Sequence, residues 1–197
     1  MTTPLKILGL CGSLRQGSYN QAALRAAQEL APAAGMTIES ADISDLPLYN
    51  EDIRAQGLPP PIERLRKQIR EADGLLFVTP EYNYSIPGVL KNAIDWASRP
   101  PEQPFADKPA AVMGASPGAL GTARAQYHLR QSLVFLNVHV LNAPEVMIAS
   151  AHERFDAQGR LTHEPTREFM AKLLDALAAW TRRLMPSQTE KRSIRER

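Results

Sequence analysis

The sequence predicts a three-layer α/β sandwich: a five-stranded parallel sheet in the order 2-1-3-4-5 with helices on both faces. Three observations predict it. Strand-like apolar runs alternate with helical periodicity five times along the chain, the pattern of a parallel sheet covered on both sides. The central run Gly74-Leu75-Leu76-Phe77-Val78-Thr79 is almost wholly apolar, as a strand buried on both faces must be. A chain of 197 residues with right-handed crossovers favours this strand order over larger doubly wound alternatives.

Each element follows from local signals. Leu5-Lys6-Ile7-Leu8-Gly9-Leu10 reads as the first strand, with Cys11 at its carboxyl end. The polar, glycine-bearing segment 12–20 leads into a helix over 21–34, whose Leu24, Ala27, Leu30, Ala31 and Ala34 share one face and which Gly35 stops. Ser18 and Gln21 have the S-x-x-Q spacing of a capping box, which puts the helix start inside the turn. Residues 36–43 form a second strand, and 42–61 a long irregular connection closed by Pro59-Pro60-Pro61. Ile62, Leu65, Ile69 and Ala72 mark the next helix, and the central strand follows.

The second half continues the alternation. Pro80 to Ile86 is a loop, and Pro87 opens a helix bearing Val89, Leu90, Ala93, Ile94 and Ala97. A proline-rich connection, 99–107, leads to a fourth strand at 109–113 and a small-residue loop at 114–121. A helix over about 122–136 precedes a fifth strand region made of 138–141 and 144–148. Gln158-Gly159 tips a surface turn over 155–161. The last helix places Phe169, Leu173, Leu177, Trp180 and Leu184 on one stripe and stops at Pro186. The expected organisation is one domain over 1–186 and a charged, flexible tail over 187–197.

Composition narrows the function classes. Hydrophobic content of 44% and charged content of 22% suit a soluble globular protein. The net charge of +2 is partly gathered in the last eight residues, so the body lacks the basic face of a nucleic-acid binder. A lone cysteine excludes an internal disulfide and fits a reducing compartment; Cys11 reads as a packing residue. No apolar run approaches the roughly 18 residues that span a bilayer, and residues 1–12 lack a signal-peptide shape. A cytoplasmic protein without membrane partners is expected. His128, His139, His152 and His163 show no metal-ligand spacing, so no metal is expected.

In the 2-1-3-4-5 order, strands 1, 3 and 4 are adjacent. Their loops, 12–20, 80–87 and 114–121, therefore meet at the carboxyl ends of the strands, where open α/β sheets bind ligands. The first offers Ser13, Arg15, Ser18 and Asn20 beside the positive end of a helix, a phosphate site. No Gly-Lys-Ser/Thr follows, and only Gly9 and Gly12 precede the helix, so neither a P-loop nor a dinucleotide fingerprint is present. A monophosphate ester suits it better than a triphosphate. The second loop, stiffened by two prolines and a glycine, offers amides around Glu81 to Tyr84 and the rings of Tyr82 and Tyr84 to a planar heterocycle. A subunit contact padded by the tyrosines is the other reading of this stretch. The third loop, with Ser116, Gly118 and Gly121, lets the far edge of a ring approach backbone. A phosphate at one end and a flat ring at the other describe flavin mononucleotide (FMN).

Two stretches also carry a family likeness. Gly12-Ser13-x-Arg15-x-x-Ser18-x-Asn20 and Pro80-Glu81-Tyr82-Asn83-Tyr84-Ser85-x-Pro87-Gly88-x-Leu90-Lys91-Asn92-Ala93-x-Asp95-Trp96 resemble the signatures of NAD(P)H-dependent FMN reductases, in particular bacterial quinone and chromate reductases. The likeness runs over about 5–150. It implies a flavodoxin-like fold and a ping-pong oxidoreductase passing hydride from NADPH or NADH through FMN to a quinone, chromate or another small acceptor. It also implies that Ser13, Arg15, Ser18, Tyr19, Asn20 and Gln21 hold the phosphate end. Pro80, Glu81, Tyr82, Asn83, Tyr84 and Ser85 would hold the ring, with Ser116, Gly118 and Gly121 at its other edge. The chemistry would rest on the flavin, with no catalytic side chain. Arg124, Tyr127 and Glu145 resemble the polar interface of tetrameric members, so a homodimer or homotetramer is implied. Pro117-Gly118-Ala119-Leu120 departs from the family pattern.

Two other functions compete. A flavodoxin-like electron carrier without an NAD(P)H site would share the loops, although a near-neutral surface disfavours it. Gly114-Ala115-Ser116-Pro117-Gly118 matches the G-x-S-x-G elbow of a serine hydrolase, and Asp156 and His163 follow in hydrolase order. The elbow needs the N–H of the residue after serine, however, and Pro117 has none. Losing such a donor costs about 3–4 kcal/mol of transition-state stabilisation.

Overall fold

The computed structural model describes residues 3–185, so the expected tail lies outside the described residues. Strands β1 (Leu5–Cys11), β2 (Met36–Ser40), β3 (Gly74–Val78), β4 (Pro109–Ala115), β5 (His139–Val140) and β6 (Val146–Ile148) form one parallel sheet. The order is β2-β1-β3-β4-β5, with β6 also on β4, which is the flavodoxin-like order expected. Helices α1 (Tyr19–Leu30), α2 (Glu51–Arg54), α3 (Pro60–Glu71), α4 (Gly88–Ala97), α5 (Ala123–Val134) and α6 (Glu164–Leu184) complete the layers.

Period-two alternation divides the core. Leu76 and Val78 of β3, with Ile7 and Cys11 of β1, face α1 and α6. Leu75 and Phe77, with Leu8 and Leu10, face α3, α4 and α5. Every residue of β3 and β4 is buried, as expected of central strands covered on both sides.

The differences from expectation are local. The fifth strand region is two short strands: β5 pairs with Pro109 and Ala110 at the start of β4, and β6 with Met113 to Ala115 at its end. Pro144, which has no N–H for a ladder, falls in the break. Helix α1 stops at Leu30, and 31–34 forms a 3-10 turn because Pro32 cannot donate to the helix; Gly35, at φ 71°, closes it. The 42–61 connection contains α2, capped by the Asn50 side chain, which accepts the Asp52 N–H at 2.8 Å. Pro60 and Pro61 lie inside the first turn of α3 rather than before it.

The buried face of α6 runs through Met170, Leu173, Leu174, Leu177, Ala178 and Thr181, so the expected stripe is displaced at both ends. Phe169 is 42% exposed, and Trp180 lies at the margin, its indole N–H donating to the His139 carbonyl at 2.7 Å. Among the described residues, no helix is long and apolar enough to cross a membrane.

Candidate functional site

The three expected loops do meet. Gly12 donates its N–H to the Val78 carbonyl at 2.9 Å, and a Cβ on Gly12 would lie 2.7 Å from Cγ of Pro87 and 3.2 Å from Cδ of Pro80. Absence of that side chain is what lets the first and second loops close on each other. A Cβ on Gly114 would lie 2.1 Å from the Thr79 carbonyl, so the end of β4 and the start of the second loop are equally tight.

Between the loops lies a cleft of about 320 Å³, at the lower end of the range for small-molecule sites. Ser13, Arg15, Ser18, Tyr19 and Asn20 line one side, Pro80, Glu81 and Tyr82 another, and Ser116 the third. Ala115 and Pro117 line it too; sequence reasoning missed them, although their place at the end of a strand was the available signal. Gln21, Asn83, Tyr84, Ser85, Gly118 and Gly121 lie outside the lining; of these, Gln21, Ser85 and Gly118 hydrogen-bond the lining residues Ser13, Tyr82 and Ser116.

At the first loop the helix start organises everything. The Ser18 hydroxyl accepts the N–H groups of Asn20 (3.1 Å) and Gln21 (3.3 Å), satisfying two free donors of α1 and keeping its own proton to donate. The expected capping box is half formed. The Gln21 side chain donates instead to the Ser13 carbonyl at 2.9 Å, which holds that turn in place. The Ser13 hydroxyl has no hydrogen-bond partner among the described residues. Arg15 donates to the Gly17 carbonyl at 2.8 Å and lies 6.0 Å from the centre of the Tyr19 ring.

Asn20 reaches furthest. Its side-chain N–H donates to the Ala115 carbonyl at 2.9 Å and its oxygen accepts the Ala115 N–H at 2.9 Å, so one buried amide clamps the first loop to the third. One N–H remains for another acceptor.

The second loop is a two-residue hairpin. Tyr82 and Ser85 exchange N–H and carbonyl bonds, both 3.0 Å, and Asn83 and Tyr84 have φ of 49° and 66°. Positive φ at both central positions is the signature of a type I′ turn, which asparagine accepts readily and tyrosine does not. Such backbone costs about 1–3 kcal/mol and persists where surroundings enforce it. Here helix α5 does so. The Arg124 guanidinium stacks 3.6 Å from the centre of the Tyr84 ring, and His128 Nδ1 lies 3.0 Å from the Ser85 hydroxyl. Glu81 pairs with Arg124, and its Oε2 accepts the N–H groups of Arg124 (3.0 Å) and Ala125 (3.1 Å). Tyr127, more than half exposed, donates to Glu145 at 3.3 Å.

The third loop is tied to β6. Ser116 donates its N–H to the Ile148 carbonyl at 2.9 Å, and its hydroxyl accepts the Gly118 N–H at 3.2 Å. Gly121, at φ 58°, rests on Met147, whose carbonyl carbon would be 2.9 Å from a Cβ there.

A hydrolase triad does not assemble. His163 caps α6, with Nδ1 2.8 Å from the Thr166 hydroxyl, and Asp156 accepts the N–H groups of Gln158 (3.0 Å) and Arg160 (2.8 Å). No group of three or more metal-ligating side chains occurs among the described residues. Burial pushes the Cys11 thiol up to about 11, so it stays protonated and acts as core.

Residues 5–153 match the family model described as NADPH-dependent FMN reductase. The chain is 66% identical over 184 residues to an NAD(P)H-dependent FMN reductase of Pseudomonas aeruginosa, covering 93% of this chain and 99% of that protein. It is 51% identical over 180 residues to an NAD(P)H:quinone oxidoreductase of Solanum tuberosum, covering 89% and 92%. A solved structure of a flavoenzyme NAD(P)H:(acceptor) oxidoreductase from Paracoccus denitrificans matches with a TM-score of 0.84 at 38% identity, covering 91% of this chain and 98% of that one.

Proposed function

The chain belongs to the NADPH-dependent FMN reductase family and is an NAD(P)H-dependent FMN oxidoreductase; on that premise we propose that FMN occupies the three-loop cleft and that quinones are its acceptors. The observation that carries the reading is convergence. One side of the cleft bears hydroxyls and a guanidinium, and the other bears backbone and tyrosine.

The residues fit the group. The Ser13 hydroxyl has no hydrogen-bond partner among the described residues, Ser18 retains its proton while capping α1, and Arg15 donates to the Gly17 carbonyl of its own loop beside the Tyr19 ring. Together they hold the phosphate at the N-terminus of α1. Tyr19 walls that end, Gln21 fixes the Ser13 carbonyl, and Asn20 sets the gap between the first and third loops. Pro80, Glu81, Tyr82, Asn83, Tyr84 and Ser85 supply the turn that holds the ring. Ser116, Gly118 and Gly121 keep the opposite wall low and close to β6.

FMN held there would supply the two-electron chemistry that links a nicotinamide donor to an acceptor. The protein's part would be to hold the phosphate end with Ser13, Arg15 and Ser18 and to orient the ring between the second and third loops. Donor and acceptor would be served in turn, a ping-pong order, with chromate a further small acceptor of different chemistry. The molecule works in the cytoplasm as a single-domain homodimer or homotetramer with Arg124, Tyr127 and Glu145 at a subunit contact.

The test is direct. Purified protein is expected to be yellow, to bleach anaerobically with NADPH or NADH, and to recover colour on addition of a quinone. Protein that stays yellow with both nucleotides is an electron carrier instead. A colourless preparation that takes up no added FMN overturns the site.

A further inference from the structure

Helix α5 begins without a cap of its own. Thr122, the residue before it, makes no side-chain bond to the helix N–H groups; its hydroxyl accepts from Gln126 at 3.0 Å instead. The N–H groups of Arg124 and Ala125 are satisfied from the second loop, by Oε2 of Glu81. The other carboxylate oxygen pairs with the Arg124 guanidinium, and the side chain is only 5% exposed. Three donors thus engage a carboxylate that has about four acceptor positions.

The same stretch of α5 holds the rest of the hairpin. Arg124 covers Tyr84, and His128, one turn on, meets Ser85. Both central residues of that turn have positive φ, so its shape depends on these external contacts. We propose that Glu81 is a positioning residue: its carboxylate locks the ring-holding turn onto α5 and does not itself touch the flavin. The proposal rests on FMN occupying the cleft as argued above.

Three full-length variants test it by FMN titration, by the absorption spectrum of bound FMN and by thermal melting. Glu81→Ala is expected to raise the FMN dissociation constant about tenfold or more, equivalent to 1.4 kcal/mol at 25 °C, and to change the shape of the flavin absorption band. Glu81→Gln keeps an oxygen for the two N–H groups but gives up the ion pair. It is expected to fall between, at about threefold, with a smaller spectral change. Thr122→Ala weakens α5 without touching the hairpin, so it is expected to lower the melting temperature while leaving FMN affinity and spectrum unchanged.

Glu81→Ala with wild-type affinity and spectrum overturns the proposal, as does Thr122→Ala that loses affinity to the same degree. Where Glu81→Ala does not fold, Glu81→Gln decides, and wild-type values in both measurements are the overturning result. Wild-type protein that takes up no FMN overturns the cleft assignment itself, a different outcome from variants that bind unaltered.

Discussion

Replacing Asn20 with alanine removes both halves of the amide clamp on Ala115. The side chain is 3% exposed and Ala115 is buried, so the freed N–H and carbonyl of Ala115 face little water. Each hydrogen bond contributes about 0.5–1.5 kcal/mol net, and an unpaired buried group costs about 1–3 kcal/mol. Water entering from the adjacent cleft offsets part of that, so a total near 3 kcal/mol is expected. For a domain of this length that is a fall of roughly 6–12 °C in melting temperature. Asn20→Asp is the sharper probe. It preserves shape and the acceptor for the Ala115 N–H, but sets a carboxylate oxygen against the Ala115 carbonyl. At pH 7–8 it should be at least as damaging as alanine, and it should recover as pH falls and the carboxyl regains a donor proton. Thermal melts of the three proteins at pH 5 and pH 8, without added FMN, read the effect. Variants that both melt within about 2 °C of wild type, a shift worth less than one hydrogen bond, would refute the clamp.

Two further expectations concern the cofactor end and the core. Arg15→Ala should weaken FMN binding about 10–100-fold through loss of one charge-assisted bond, while hydride transfer at saturating FMN changes much less. Stopped-flow reduction alongside flavin titration checks this, and the opposite pattern removes Arg15 from the phosphate. The Cys11 thiol, raised to about 11 from 9.0 by burial, keeps its proton in the folded state at pH values where the unfolded chain has lost it. Its contribution is therefore complete below pH 9 and declines as pH rises toward 11, by about 2–3 kcal/mol in all. Urea unfolding of wild type and Cys11→Ala at pH 8, 9.5 and 10.5 isolates that slope, since the variant lacks it. Parallel slopes would contradict the shift.

Much of this molecule was legible from the chain alone. Apolar runs identified the strands, helical spacing the covering layers, and the βαβ pattern the sheet order; from that order, loops 12–20, 80–87 and 114–121 had to share one rim. Periodicity, proline and glycine act over a few residues, which is why such features can be read locally.

Other features were decided only by tertiary contact. The division of labour within the loops is the main one. Asn20 reads as a phosphate ligand beside a helix start, yet its amide is aimed at Ala115, 95 residues away. Glu81 reads as part of a ring-binding loop, yet it caps a helix that begins 42 positions later at Ala123. The inner face of α6 is displaced from the stripe through Phe169: it runs through Met170, Leu173, Leu174, Leu177, Ala178 and Thr181, the residues packed against the sheet and α1. A polar side chain satisfies its hydrogen bonds with whatever the fold brings within 3 Å, and local spacing carries no record of that partner.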